Sequence, residues 1–267
     1  MHGFETHLKS LLDAQERKPR DLSSLRAGIF AVGMNSAVQT ARRAATVLAP
    51  MKTLTAYGMT EIGANACLSL LDSTEEQRCE TSGLPCPGYE FRVIDPGTGR
   101  DQPTGTPGEL IVRTYNMMQG YYKKPEETAK AFDEEGYFHT GDMAVLRPDG
   151  YVRFLGRYKD MLKIGGENVD PMEVEGYLLG HPGVHNVAVV GYPDARLTEV
   201  PVAFVQPAPG AAVTEEDVIA HCKGKIASFK IPRHVLFVEA LPMTSTGKVQ
   251  KARLREQALG SLRRRGG

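Results

Sequence analysis

The chain changes texture at Gly156-Arg157-Tyr158-Lys159, and that change predicts two domains, 1–156 and 157–267. From about Gly83 to Phe154, short apolar or alternating stretches such as Glu90-Phe91-Arg92-Val93-Ile94 and Glu109-Leu110-Ile111-Val112-Arg113 are parted by Asp-Pro-Gly, Pro-Gly and Asp149-Gly150 turns. Apolar runs punctuated this way predict a β subdomain of meandering antiparallel pairs over about 83–155. Beyond the change, strands alternate with capped helices. Asp170-Pro171-Met172-Glu173 carries a cap residue, a proline at the first helical position and an acid three residues on. Thr214-Glu215-Glu216-Asp217 places acids in a first turn, where they complement the helix dipole. Short strands fall at Val187–Val190, Val202–Val205 and His234–Val238, and a last helix runs from Val249. The second domain is therefore a compact α+β unit.

Upstream, residues 36–48 place Val38, Ala41, Ala45 and Leu48 at amphipathic helical spacing, closed by Pro50. A short buried strand follows at Lys52–Tyr57. The fold class is mixed α/β and α+β, with a β subdomain ahead of a small second domain.

Lys plus Arg equals Asp plus Glu at 32 each, so net charge favours neither nucleic acid nor an anionic membrane. No apolar run approaches the ~20 residues that span a bilayer. The first residues lack the basic-then-apolar pattern of a secretory leader, and a cytoplasmic location is expected. The cysteines, Cys67, Cys79, Cys86 and Cys222, form no Cys-x-x-Cys pair and no zinc-finger spacing, which reads as reduced structural thiols.

Four stretches carry the candidate functional groups. In Tyr57-Gly58-Met59-Thr60-Glu61, directly after a strand, Gly58 permits close backbone approach to a ligand and Thr60 offers a hydroxyl to a phosphate oxygen. Glu61 offers a carboxylate to a hard cation, and Tyr57 a flat ring to a purine. Taken alone, the pentapeptide is equally well strand–helix punctuation. In Tyr137-Phe138-His139-Thr140-Gly141-Asp142, Asp142 is either a turn residue accepting backbone N–H groups or a two-oxygen acceptor for paired ribose hydroxyls. Arg157 adds a fork of donors. Further on, the Gly165-Gly166 pair after Lys163-Ile164 could lie flat against a narrow ligand, with Lys163 as a positive contact or simply solvated. Lys248, in Pro242-Met243-Thr244-Ser245-Thr246-Gly247-Lys248, is not a Walker lysine, because Pro242 and Val249 stand where that motif needs glycine and Ser or Thr.

Taken in order, these motifs resemble those of the adenylate-forming, AMP-binding enzymes, which include acyl-CoA synthetases, luciferases and peptide-synthetase adenylation domains. The likeness covers nearly the whole chain but corresponds to the carboxyl-terminal half of such an enzyme; no Thr-Ser-Gly-Thr-Thr-Gly phosphate loop occurs in it. The resemblance implies that Tyr57, Gly58, Met59, Asp142 and Arg157 bind ATP or AMP. It makes Lys248, Thr60 and Glu61 catalytic, with Glu61 also on Mg²⁺, and places a hinge at Lys159. CoA falls to Lys163, Ile164, Gly165 and Gly166. Two departures stand out: Ala31-Val32-Gly33-Met34 in place of a Gly-Ala-Pro-like turn, and Arg113-Thr114 in place of Arg-Gly. The implied activity is ligation of a fatty or other apolar carboxylic acid to CoA through an acyl-adenylate, with the small domain turning between steps. Without its phosphate loop the chain alone is expected to be inactive. A non-catalytic AMP- or CoA-binding module, a partnership with a separate amino-terminal half, a homodimer, and acylation of a carrier protein in trans are the alternatives left open.

Overall fold

The computed structural model of the chain describes residues 1–31, 38–244 and 249–265. Two compact units result, Met1–Tyr158 and Lys159–Gly267. In the first, β1 (His2–Phe4), α1 (Glu5–Arg17), β2 (Ala27–Ala31), α2 (Val38–Val47) and β3 (Lys52–Tyr57) alternate, with the three strands paired in parallel. Parallel neighbours need crossovers, and α1 and α2 supply them. Leu8 and Leu12, one turn apart on α1, join Ala41 and Ala44 of α2 in a core around Phe30. β4 (Cys67–Leu68) and β5 (Leu84–Pro85) extend the sheet in antiparallel fashion. Between them lies α3 (Glu75–Glu80), held by a reciprocal Thr74–Gln77 capping box. The helix expected over 36–48 is present as Val38–Val47, residues 36 and 37 being outside the described ones, and the 52–57 strand is present as expected.

A second sheet in this unit runs in simple order through β6 (Tyr89–Ile94), β7 (Gly108–Thr114), β8 (Phe138–Leu146) and β9 (Val152–Arg157), every pair antiparallel. Its meander follows from the turn residues that separate the strands. The β7–β8 connection carries one short helix, α4 (Pro125–Lys130), not anticipated above although Pro125-Glu126-Glu127 suits a helix start. Val93, Leu110, Val112 and Phe138 pack with Ile62 and Ala66, so the loop after β3 is fastened to this sheet by a shared core.

The second unit holds β10 (Leu162–Ile164), β11 (Glu167–Val169), α5 (Pro171–Leu178), β12 (Val184–Asp194), β13 (Thr198–Pro207), α6 (Glu215–Cys222), β14 (His234–Phe237) and α7 (Lys251–Arg265). β12 and β13 reach well beyond the apolar tetrapeptides that announced them. Their alternation is strict: Val187, Val189, Ala203 and Val205 face the core shared with α5 and α6, whereas Ala188, Val190, Val202 and Phe204 face Leu254 and Ala258 of α7. A strand pair covered on both faces reads as a continuous apolar run rather than an alternating one. Asp170 caps α5 by accepting from Met172 N (2.9 Å). Glu173, the acid three residues after that cap, pairs with Lys230 at 2.6 Å.

Candidate active site

β3 delivers Tyr57 at its last residue, and the chain then makes a tight loop back to Ala66, whose N–H donates to Tyr57 O (2.8 Å). Gly58 is required by that loop itself. A Cβ on it would lie 1.5 Å from the carbonyl oxygen of Ala64, so the loop itself demands a glycine here. Met59 caps a single 3₁₀ turn, Thr60–Ile62, and its carbonyl accepts from Ala64 N at 2.9 Å. Thr60 is exposed on that turn and Glu61 half-buried. The Tyr121 hydroxyl donates to Glu61 Oε1 (3.3 Å), and Met118 N donates to the Glu61 carbonyl (2.8 Å).

Asp142 on β8 stands directly across from Arg157 on β9. It is 2% exposed, its Oδ2 accepting from the Tyr57 hydroxyl (2.8 Å) and its Oδ1 lying 3.0 Å from Arg157 Nε. Burial, and then the neighbouring Asp142 charge, push the Tyr57 phenol well above its ordinary range, so it stays protonated and donates. The Tyr57 ring also packs 6.0 Å from Phe154. Tyr57, Asp142 and Arg157, far apart in sequence, thus form one cluster. A carboxylate buried to this depth is tolerable only when paired and hydrogen-bonded, and both conditions hold.

One residue of this neighbourhood escaped the sequence analysis. Glu109, on β7, accepts from Gly141 N through Oε1 (3.2 Å) and lies 3.1 Å from His139 Nδ1 through Oε2. In sequence Glu109 is merely a polar position in an alternating strand; only the β7–β8 register could have revealed it.

The second unit carries the remaining candidates. Gly165 and Gly166, both left-handed at φ +60° and +93°, form the two-residue turn joining β10 to β11, with Ile164 opposite Glu167. A turn with φ > 0 at both central positions calls for glycine, so the hairpin accounts for the pair by itself. Ile164 is 1% exposed in the core, so only its backbone is presented. Lys163 is exposed, its ammonium donating to Asn168 Oδ1 across the hairpin. Lys159 is exposed at the first residue of the unit. Lys248 lies outside the described residues, as do Val32, Gly33 and Met34 of the departure noted above. On either side of Lys248, Met243 pairs with Val249, and Lys251 begins α7. The Lys251 ammonium lies 2.7 Å from Glu175 Oε1, an almost fully buried carboxylate that also accepts from Val189 N (2.7 Å).

Among the described residues no group of three His, Cys, Asp or Glu could hold a metal ion. Mg²⁺ is commonly held by one or two carboxylates together with substrate phosphates, and the half-buried Glu61 carboxylate fits that role.

Comparison with known proteins identifies the family and the fold. The model of the AMP-binding enzyme family matches residues 1–122, and that of the AMP-binding enzyme C-terminal domain matches residues 173–248. A methyl-dioxo-octahydroindenyl-propanoyl:CoA ligase of Rhodococcus jostii is 41% identical, over 96% of this chain and 47% of its own length. The mitochondrial medium-chain acyl-CoA ligase of Bos taurus is 36% identical, over 96% of this chain and 42% of its own. The crystal structure of ATP-bound MatB from Rhodopseudomonas palustris superposes with a TM-score of 0.83 at 33% identity, covering 96% of this chain and 50% of that one. The chain thus spans about half the length of the curated relatives it matches. On these matches it belongs to the AMP-binding, adenylate-forming enzyme family that includes the acyl-CoA synthetases.

Proposed function

We propose that the chain is the carboxyl-terminal half of an ATP-dependent, AMP-forming acyl-CoA synthetase that activates a fatty or other apolar carboxylic acid. The observation that carries this is the buried Asp142, held between Tyr57 and Arg157 beside the Thr60–Glu61 turn. Similarity to ligases of a medium-chain acid and of an octahydroindenyl propanoate supports the apolar substrate.

In this reading Asp142 accepts the two ribose hydroxyls of the nucleotide. Its present donors must rearrange to admit them. Arg157, with a side chain 41% exposed, is the one able to swing from carboxylate to ribose or phosphate. Tyr57 keeps its proton and holds the other carboxylate oxygen in place. Thr60 offers its hydroxyl to a phosphate oxygen, and Glu61 would hold Mg²⁺, which supplies charge neutralisation to the phosphates when bound. Lys248 adds positive charge to the oxygens that gain negative charge as adenylate forms. At ~4 Å and an effective dielectric of ~20 that charge is worth ~4 kcal/mol, about a thousandfold in rate. The second unit, Lys159–Gly267, then turns about Lys159 and presents the Gly165-Gly166 hairpin to CoA. These 267 residues hold no Thr-Ser-Gly-Thr-Thr-Gly loop, so they are expected not to turn over by themselves.

The test is an NMR titration of the 267-residue chain with AMP. Shifts should concentrate at residues 57–61, 140–142 and 157. A titration that moves none of them, or moves only the second unit, refutes the proposed site.

A further inference from the structure

The ribose-binding role proposed for Asp142 depends on a side chain held in one place, and the β7–β8 register shows how that is done. Glu109 pairs with Met143 and Ile111 with His139, so three residues of β8 (Thr140, Gly141 and Asp142) face the single residue Leu110 on β7. This is a bulge, and a bulge breaks the in–out alternation of a strand and re-aims the side chains within it. Gly141 takes the left-handed conformation at its centre, φ +66°, with open space where a Cβ would sit. On the β7 side the one-to-one register is broken over these three residues, while Asp142 stays opposite Arg157 of β9.

Side chains tie the bulge to β7. Thr140 Oγ1 donates to Leu110 O (2.6 Å) and accepts from Asp142 N (3.0 Å). Glu109 reaches across from β7 and clasps the bulge on both sides of Thr140, through Gly141 N (3.2 Å) and His139 Nδ1 (3.1 Å). Its side chain is 13% exposed, and bonds to a charged acceptor in so sheltered a place are stronger than neutral ones. His139, Thr140 and Gly141 thus have structural duties that converge on the placement of Asp142.

We propose that Glu109 is a positioning residue for nucleotide recognition: by clasping the His139–Gly141 bulge it fixes the Asp142 carboxylate where two ribose hydroxyls can meet it. Glu109 itself touches no ligand. The proposal rests on the ribose role of Asp142 and adds that discrimination for the ribose hydroxyls is lost when the clasp is loosened, even though Asp142 is intact.

The experiment compares AMP with 2′,3′-dideoxy-AMP as ligands of the 267-residue chain, by saturation-transfer NMR titration, in the parent and in Glu109→Ala, Glu109→Asp and Glu109→Gln. The ratio of the two affinities does not depend on how much of a variant is folded, so a general loss of stability leaves it unmoved. Hydrogen bonds to a charged acceptor predict a parent preference for AMP of about tenfold or more. That preference should fall to about twofold in Glu109→Ala. It should fall similarly in Glu109→Asp, which keeps the charge but is one methylene too short for both partners. Glu109→Gln retains an acceptor for Gly141 N–H and should keep most of the preference. Parent-like ratios in both Ala and Asp variants overturn the role of Glu109 while leaving that of Asp142 standing. A parent ratio near one overturns the ribose role of Asp142, and the role of Glu109 with it.

Discussion

Replacing Lys251 with methionine should destabilise the second unit strongly, and more so in alkali than in acid. The substitution preserves length and removes the ammonium that lies 2.7 Å from the Glu175 carboxylate. At an effective dielectric of ~20 the gross attraction over that distance is about 6 kcal/mol. Part of it offsets the desolvation of both groups, and removing one member of a buried pair costs about 3–5 kcal/mol because the other charge is left uncompensated. Only Val189 N–H would remain on that oxygen. The pH dependence follows from the direction of the Glu175 shift. Burial raises its pKa above the ordinary 4.5, with Lys251 the largest opposing influence. A carboxylate whose folded pKa exceeds its unfolded one binds more protons in the folded state. Its stabilising contribution is therefore complete below 4.5 and is lost as pH rises through the folded value. Removing Lys251 extends that window upward. The variant should accordingly lose about 3–5 kcal/mol near pH 8 and at least about 1 kcal/mol less near pH 5, since each pH unit is worth at most ~1.4 kcal/mol per proton. Urea titrations followed by NMR on the valines of β12 and β13 isolate this unit from the other. Adding Glu175→Gln to the variant should recover much of the loss. Equal losses at both pH values, or none, would show that the pair does not carry the charge assigned to it.

Three further outcomes are expected. Gly58→Ala should lower the melting temperature of the first unit by about 6–12 °C, because a Cβ 1.5 Å from Ala64 O forces a backbone shift costing ~3 kcal/mol; a change within about 2 °C means the loop can open. Lys248→Ala, in a full-length enzyme carrying this half, should depress adenylate formation about a thousandfold while largely sparing thioester formation from supplied acyl-adenylate. Pyrophosphate exchange and adenylate-to-CoA transfer measured separately would show this, and equal losses in both would refute the division. The purified 267-residue chain should form no acyl-CoA from ATP, CoA and a fatty acid, and robust turnover would show that the phosphate loop is dispensable.

What could be read from the sequence was local. The caps at Asp170 and Thr214 and the strand ending at Tyr57 each depend on residues within a few positions of one another, and each is found in the structure. The motifs that nominate Tyr57, Asp142 and Arg157 are local strings too, and so they were visible before any fold was known. What they do to one another was not. The Tyr57–Asp142 bond joins residues 85 positions apart, and the Asp142–Arg157 pair exists because of one strand register. The same holds for the close approach of the Ala64 carbonyl to Gly58, and for the burial of Ile164 and Glu175. Glu109 is the clearest case. Nothing in Gly108-Glu109-Leu110 marks it, because its partners are assigned by a bulge on the neighbouring strand. Propensity and turn chemistry act along the chain, whereas register and burial are settled only when distant segments pack, and it is there that the candidate site is assembled.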